Sequence, residues 1–405
     1  MLMRAWLDRN PTLSNREFRS LCLDAVCYAN GTGGEQVVFG LLVLQVSGSS
    51  WWVGVAFALY FAPLLFVGAP AGAIADWLPR RRLLQVVQAM IGINLLAVGL
   101  LVLAGWAELW HLLLMTFVSG CVRSLYQPAR LSFAVDLVGA GRAASGLAML
   151  QIGNRIGQGI GALLAGMVMQ QLGAEYAYMS LAIGHFIGFF VLGRLKTEGG
   201  VASAERTSLA QTFRDFGAEM ASNRTLVVLV VATAAVNIFG FAFMAVLPEL
   251  VSGRLGLGAQ ALGLLTASRA VGGAVAMLLF SFWGSQRRLG TVYALVVASF
   301  GAGLVLLGAA NSFTTAVGAL LLVAGAASLT DVLSQTMMQL SVSDRLRGRA
   351  MGAWMISVGL SPIGTLEIGA LAASIGDHLA LMINGVIVVG CALLFAWFAP
   401  RLNRL

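Results

Sequence analysis

Six charged residues inside long apolar stretches of this chain are candidates for proton coupling, because a carboxylate can bind and release a proton and a guanidinium can stabilise its charge. They are Asp24, Glu35, Arg123, Arg155, Asp331 and Glu367. Ionisable groups are costly inside a membrane, so they usually face a cavity or a partner and mark a path for protons or ions. For Asp24 and Asp331, which lie toward the ends of their stretches, a helix-capping or interfacial role is the alternative.

Glu35 and Arg155 form the pair best suited to a proton-linked switch. Glu35 lies roughly 24 Å into the first apolar stretch if that stretch is helical. It follows a glycine-rich run at 30–34, where we expect the helix to bend around a site. A nearby guanidinium favours the ionised carboxylate, and separating the two groups would let the carboxylate take up a proton. The alternative is a permanent ion pair that only orients two helices.

Other polar residues of the apolar stretches are candidates for the lining of a substrate cavity. They are Asn30, Gln127, Asn154, Gln158, Asn237 and Arg269. The sequence has none of the patterns typical of a catalytic nucleophile, a phosphate-binding loop, a metal pair or a nucleic-acid module. We therefore expect no enzyme activity, no cofactor, no metal ion and no nucleic-acid partner. We interpret His185 as a hydrogen-bonded helix residue.

The composition indicates a protein that lies in a lipid bilayer. Of the 405 residues, 59% are hydrophobic and only 10% are charged, and long apolar stretches in such a chain are membrane spans. The net charge of +8 comes almost entirely from arginines near the ends of these stretches, which indicates membrane topology. All four cysteines lie in apolar stretches, so neither a disulfide framework nor a zinc site is expected.

Twelve stretches are each long enough to cross about 30 Å of hydrocarbon as a helix. The first follows a polar N-terminal segment and is too long for the core of a signal peptide, so we interpret it as a span. The predicted spans are 19–46, 51–75, 82–104, 108–135, 143–171, 174–194, 225–250, 259–283, 289–309, 312–340, 348–374 and 378–399.

Every second connection between the predicted spans is basic. The basic connections include the arginines at 80–82, Arg142 and the segment from Arg194 to Arg214, whereas the opposite connections carry only Arg254. Because arginine-rich loops remain in the cytoplasm, both termini are predicted to be cytoplasmic.

A polar and charged segment divides the predicted spans into two sets of six. We therefore predict an N-terminal six-helix bundle over 1–194, a cytoplasmic linker over 195–224 and a C-terminal six-helix bundle over 225–405. The segment that begins at Trp77 has a counterpart at Trp283, and the segment after Arg142 has one after Arg345. Duplicated halves are common in transporters, which bind substrate near the membrane midplane.

The turn between the second and third predicted spans carries a sequence motif. Gly72, Asp76, Arg80 and Arg81 lie on the pattern G-x-L-a-D-r-x-G-r-k-x-x-l, the hallmark loop of the major facilitator superfamily. The chain resembles this superfamily, and the resemblance implies an all-α membrane fold of twelve helices in two pseudo-symmetric bundles. It also implies that these four residues gate the transport path. Asp136, near the end of the fourth span, is expected to join the same network.

Segments elsewhere narrow the resemblance to one branch of the superfamily. The residues that follow Tyr126, Asn154 and Asp344 resemble the bacterial exporter branch that contains macrolide efflux proteins and the enterobactin exporter. In the antiporter motif of the fifth span, Gln158 stands where proline is usual, so less bending of this helix is expected.

The resemblance implies a proton-driven antiporter that exports a small amphipathic or hydrophobic molecule, such as a drug or a siderophore. It also implies a monomer in the bacterial inner membrane, with protons and the lipid bilayer as its other partners. An importer or facilitator with the same fold is the first alternative. A membrane-embedded enzyme or a transport-dead receptor is the alternative from another class.

The arginine pattern makes a direct prediction of topology. A reporter enzyme that works only in the cytoplasm is expected to be active when fused after Arg404 and inactive when fused after Arg254. Enzyme activity in intact cells measures both fusions, and a reversed result would contradict the predicted orientation.

Overall fold

The computed structural model of this chain describes residues 12, 14–200, 223–282, 288–342 and 347–402. Within these ranges, side chains are described except at 67–77, 140, 144, 347–349 and 398–402. All regular elements in the described ranges are helices, so the predicted all-α fold class is confirmed.

Twelve long helical segments occur in the described part of the chain, and their bounds agree with the predicted spans to within a few residues. The first six are α1 (Arg16–Ser47), α2 (Ser50–Trp77), α3 (Arg80–Leu103), α4 (Leu109–Val138), α5 (Ala143–Leu172) and α6 (Ala174–Gly193). The next six are α7 (Arg224–Arg254), α8 (Ala259–Phe282), α9 (Leu289–Gly308), α10 (Phe313–Leu340), α11 (Arg347–Gly359 and Ser361–Ile375) and α12 (Asp377–Leu402).

Two of these helices are irregular in ways that the sequence did not predict. In α7, π-helical turns at Val236–Gly240 and Leu250–Arg254 flank a 3₁₀ turn at Phe241–Ala245. α11 is interrupted at Leu360, where Pro362 stands in the first turn of the second segment. Backbone N–H groups in the first turn of a helix have no intrahelical partner. Proline, which lacks this N–H, therefore fits that position.

Glycines allow α1 and α5 to cross at close range. A β-carbon added to Gly161 of α5 would overlap the carbonyl oxygen of Asn30 in α1, and one added to Gly33 would overlap the carbonyl oxygen of Gln158. Small residues permit this approach between membrane helices. α1 continues as one helix through the glycine-rich run at 30–34, and glycines of this run serve packing.

The second half of the chain repeats this packing. A β-carbon added to Gly364 of α11 would overlap the carbonyl oxygen of Ile238 in α7, as Gly161 does between α5 and α1. The pairing of α3 with α6 likewise corresponds to the pairing of α9 with α12. These equivalent contacts agree with the internal duplication that the sequence indicates.

The chain forms two compact units whose bounds differ from the predicted bundles at the α1–α2 hairpin. Unit 1 comprises Met1–Leu42 and Phe66–Glu205, and unit 2 comprises Val43–Leu65 and Arg206–Leu405. The first turns of α2 belong to unit 2 because they pack directly on α11. There, a β-carbon on Gly369 would lie 3.0 Å from the Cα atom of Gly54.

α1 and α5 are less apolar than most of the other helices. Nine helices of the described part are long and apolar enough to cross a membrane, and a shorter apolar helix covers Ser50–Phe66. α1 and α5 are not among them, because polar side chains such as Asn30, Glu35, Asn154 and Gln158 interrupt their apolar surface. Polar residues inside a membrane helix are energetically costly, so they usually mark a functional site.

The close crossing of α1 and α5 predicts the effect of one added methyl group. Gly161→Ala is expected to lower the melting temperature, because overpacking a well-packed interior typically costs about 1–3 kcal/mol. Gly390→Ala in α12 is the matched control, since no described atom lies within 4 Å of the added carbon. Thermal unfolding of the purified protein in detergent, followed by tryptophan fluorescence, compares the two variants. Equal melting temperatures would contradict the crossing.

Candidate functional site

Glu35 of α1 and Arg123 of α4 form a salt bridge inside unit 1, and only 4% and 7% of their side-chain surfaces are exposed. The other carboxylate oxygen of Glu35 accepts a hydrogen bond from Ser119 Oγ at 2.8 Å. Arg123 also donates to Thr32 Oγ1 at 2.7 Å. Both charges are therefore paired and hydrogen-bonded, which is what burial of a charge requires.

The structure places Arg123, and not the predicted Arg155, in contact with Glu35. The glycines of α5, Gly157 among them, occupy the side of that helix that meets α1. Arg155 precedes Gly157 by two residues, which turns it about 160° around the helix axis, and it is half-buried there. Counting along the sequence places Arg155 along its helix but does not give the direction of its side chain.

Asn94 of α3 extends the salt bridge into a network of three helices. Its Nδ2 donates to Ser119 Oγ at 3.0 Å and to the carbonyl oxygen of Met115 at 3.0 Å. Ser119 can therefore accept from Asn94 while it donates to Glu35. The orientation of the carboxylate is thus fixed by α3 as well as by α4.

Asp24 of α1 is the centre of a second buried network in unit 1. Its carboxylate, which is fully buried, accepts hydrogen bonds from Gln88 Nε2 of α3 and from Tyr126 Oη of α4, the latter at 2.8 Å. The side-chain oxygen of Gln88 lies 2.6 Å from His185 Nδ1 of α6. The prediction that His185 is a hydrogen-bonded helix residue is confirmed. Asp24 connects helices and caps none of them.

A glycine of α6 provides the space for this second network. A β-carbon added to Gly188 would overlap the side-chain amide of Gln88 and would lie 3.0 Å from Asp24 Oδ1. Close packing of α6 against α3 is therefore a condition for the hydrogen bond between Gln88 and Asp24.

Two stacked tyrosines lie between the networks. The rings of Tyr28 and Tyr126 are nearly parallel, with centroids 3.5 Å apart. Cζ of Arg123 lies 5.2 Å from the centroid of Tyr28, and Cζ of Arg130 lies 5.4 Å from the centroid of Tyr126. The fully buried Arg130 donates to Gln127 Oε1 at 2.8 Å. Two guanidinium groups of α4 therefore contact a single aromatic pair.

The predicted cavity residues of α5 share one face of that helix. Gln158 is exposed, and Asn154 and Arg155 are half-buried. Gln151, which is also exposed, continues the stripe at the spacing i, i+3, i+4, i+7. Gln127 of α4 is exposed as well, so several amide side chains remain accessible on these two helices.

Two of the predicted cavity residues of unit 2 lie on different helices. Asn237 is buried in the irregular part of α7 and donates to the carbonyl oxygen of Thr233, at 2.9 Å. Arg269 of α8 has its Cζ 5.5 Å from the ring centroid of Phe243. The amide and the guanidinium therefore have partners within unit 2.

The two predicted coupling carboxylates of unit 2 are both half-buried. Glu367 of α11 accepts a hydrogen bond from Asn384 Nδ2 of α12 at 3.1 Å, and Asp331 lies on α10.

Among the residues whose side chains are described, no group of three or more histidine, cysteine, aspartate or glutamate residues could hold a metal ion.

Arg80 and Asp136 of the predicted gating network are in contact. Nη1 of Arg80 lies 2.6 Å from each carboxylate oxygen of Asp136. Gly72 and Asp76 lie in α2, and their surroundings are outside the described part of the chain.

The beginning of the predicted linker packs on this pair, which the sequence did not predict. The backbone N–H of Gly200 donates to Asp136 Oδ2 at 3.2 Å. The backbone N–H of Arg81 donates to the carbonyl oxygen of Glu198 at 3.0 Å, and the Glu198 carboxylate lies 2.8 Å from Arg82 Nη2. Residues 195–200 therefore connect the end of α6 to α3 and α4.

Sequence reasoning missed most of the residues that surround the buried carboxylates and Arg123. These residues are Tyr28, Thr32, Gln88, Asn94, Ser119, Tyr126 and Arg130. A usable signal was present in α4, where Ser119, Arg123, Tyr126 and Arg130 recur at the spacing i, i+4, i+7, i+11. That spacing marks one face of a helix.

One family of known proteins matches nearly the whole sequence. The model of a family described as transmembrane secretion effectors matches residues 10–403. A comparison with curated protein sequences gives no match.

Several solved transporters have a similar structure. A POT family transporter in complex with a thioalcohol-conjugated peptide gives a TM-score of 0.79 at 11% identity, covering 96% of each chain. A peptide transporter POT in complex with sulfate gives 0.77 at 14% identity, covering 96% of this chain and 95% of that chain. The nucleoside transporter NupG gives 0.76 at 11% identity, covering 96% and 99%. At these identities the similarity concerns the fold.

The network around Asp24 predicts a cost for removing its central amide. Gln88→Leu leaves both the Asp24 carboxylate and His185 short of a partner, and each such buried group costs about 1–3 kcal/mol. Gln85→Leu is the matched control one turn earlier in α3, where the amide makes only a 3.4 Å hydrogen bond to a backbone carbonyl. We expect a clear drop in melting temperature for Gln88→Leu and little change for Gln85→Leu. Equal drops would show that the network adds no stability.

Proposed function

Because the chain belongs to the transmembrane secretion effector family and is a multi-pass membrane transporter of the major facilitator type, we propose that it is a proton-driven exporter. Its proposed substrate is a small amphipathic or hydrophobic molecule, such as a drug or a siderophore. The buried salt bridge between Glu35 and Arg123 is the observation that carries the proposal.

A buried carboxylate held by a guanidinium gives a transporter a means to use protons. While Glu35 is ionised, its attraction to Arg123 holds α1 against α4. Protonation of Glu35 removes the negative charge and weakens the pair, so Arg123 becomes free to move. A change in free energy of this kind biases one conformation over another. Proton entry can thereby drive alternating access.

The polar stripe of α5 supports a substrate path along this helix. Amide groups such as those of Gln151 and Gln158 are poorly placed against lipid, and both are exposed. Asn154 lies on the same face, and Gln127 adds a further exposed amide from α4. Sites for small molecules combine a few such polar groups with apolar walls, which suits an amphipathic substrate.

The contact between Arg80 and Asp136 supports a gating role for the loop between α2 and α3. The contact is a charge-assisted hydrogen bond shared by both oxygens of Asp136, which is stronger than a bond between neutral groups. The backbone N–H of Gly200 adds a further hydrogen bond to Asp136. In our proposal Gly72, Asp76 and Arg81 belong to the same gate.

The proposal extends to location and assembly. We infer a bacterial inner-membrane protein that acts as a monomer. The arginine pattern supports the placement of both termini in the cytoplasm. The family description, which refers to secretion, favours export over the alternative of an importer or facilitator with the same fold.

Transport measurements on Glu35→Gln test the coupling role. The purified protein is reconstituted into liposomes with an acidic interior, and uptake of amphipathic fluorescent dyes is followed. We expect wild-type protein to accumulate at least one dye against its gradient. Glu35→Gln, which mimics the protonated acid, is expected to lose this uphill uptake and to retain downhill exchange of the same dye.

Glu175→Gln is the control variant, since it changes the same functional group in the first turn of α6, outside the set of coupling candidates. If Glu35→Gln pumps uphill at the normal rate and pH dependence, the coupling site lies elsewhere, with Asp24, Asp331 and Glu367 next in order. If wild-type liposomes take up dye only when the pH gradient is reversed, the proposed direction is wrong.

A further inference from the structure

Tyr28 belongs to a stripe of α1 that contacts Arg123 in three different ways. Tyr28, Thr32 and Glu35 are spaced i, i+4, i+7 and so share one side of the helix. Glu35 forms the salt bridge, Thr32 Oγ1 accepts a hydrogen bond from Arg123 at 2.7 Å, and the Tyr28 ring lies 5.2 Å from Arg123 Cζ. A single guanidinium is therefore held by a charge, a hydroxyl and an aromatic ring.

The Tyr28 ring is itself held in place. It stacks on Tyr126 with an angle of 7° between the ring planes. Tyr126 cannot turn away easily, because its hydroxyl donates to Asp24 at 2.8 Å and the residue is fully buried. The surface that Tyr28 presents to Arg123 is thus rigid, which lowers the entropy lost in keeping the guanidinium there.

For the contact with Arg123, the aromatic ring of Tyr28 matters more than its hydroxyl group. A planar, weakly hydrated guanidinium stacks well on an aromatic face. The attraction between a cation and an aromatic face strengthens when both are removed from water, and Arg123 is almost completely buried. A side chain that merely filled space could be replaced by any residue of similar volume.

Other titratable groups around the salt bridge come from α6. Tyr178 interacts electrostatically with Glu35, and His185 interacts electrostatically with Arg123. α3 contributes the uncharged Asn94. Within the described part of unit 1, the cation in contact with Glu35 is Arg123.

We propose that Tyr28 is a positioning residue for proton coupling: its ring holds the Arg123 guanidinium against Glu35 and keeps that carboxylate ionised until Arg123 moves. The inference rests on the proposed coupling role of Glu35. It requires neither a known substrate nor a known direction of transport.

Labelling with dicyclohexylcarbodiimide tests the proposal without any substrate. This reagent enters apolar sites and modifies carboxyl groups only when they are protonated, and mass spectrometry of the peptides locates each modified residue. In the purified full-length protein at neutral pH, Tyr28→Leu is expected to raise the labelling rate of Glu35 about three- to tenfold, as loss of a desolvated cation–π contact allows. Tyr28→Phe keeps the ring and is expected to label at the wild-type rate.

Two further measurements make the result specific. Arg123→Gln removes the cation and is expected to label Glu35 fastest of all the variants. The labelling rate of Glu367, which lies in the other unit, is expected to stay unchanged in the Tyr28 variants. Tyr28→Met, which also lacks a ring, provides the same test if Tyr28→Leu does not fold.

The proposal is overturned if the ring-free variants label Glu35 at the wild-type rate, or if Tyr28→Phe labels as fast as they do. It is also overturned if the labelling of Glu367 rises in parallel, because the effect would then be a general loosening of the protein. Its failure is distinct from failure of the proposed function. Uphill transport by Glu35→Gln contradicts coupling through Glu35, whereas unchanged labelling contradicts only the role of Tyr28.

Discussion

The packing of unit 1 depends on the need to keep the buried charges of Glu35 and Arg123 paired. Two charges that are withdrawn from water lose solvation that only close contact and complete hydrogen bonding can replace. Ser119 and Thr32 supply two of these hydrogen bonds, and Asn94 orients Ser119 from α3. Apolar residues of similar size would often give equal or greater stability at such a position, so stability alone does not account for the pair.

A second constraint follows from the first, because polar networks require helices at short and fixed separations. α1 carries small residues where it meets α5, as at Gly33. It carries polar residues where it meets α3 and α4, as at Asp24 and Glu35. Gly188 makes the corresponding space on α6. One helix therefore carries both kinds of residue on different sides, which explains why its hydropathy is lower than that of a simple lipid-facing span.

Much of the fold could be predicted because its determinants are local in the sequence. The lengths of the apolar stretches and the arginines between them place all twelve helices to within a few residues. Charged residues inside the apolar stretches mark the candidate site. Side-chain direction could not be predicted, since it depends on the rotation of each helix about its axis. For this reason Arg155 was chosen as the partner of Glu35 in place of Arg123. The π-helical turns of α7 and the packing of residues 195–200 depend on tertiary contacts and leave no local signal.

The different environments of Asp24 and Glu35 indicate that these two carboxylates of α1 have different roles. Asp24 accepts hydrogen bonds from neutral donors, Gln88 and Tyr126. Glu35 contacts a cation, so protonation would leave a buried guanidinium without its counter-charge. An unpaired buried charge has a high free energy, and the protein can lower it only by moving Arg123. The charge of Glu35 is therefore balanced by direct contact with a cation, whereas Asp24 is held by hydrogen bonds from α3 and α4.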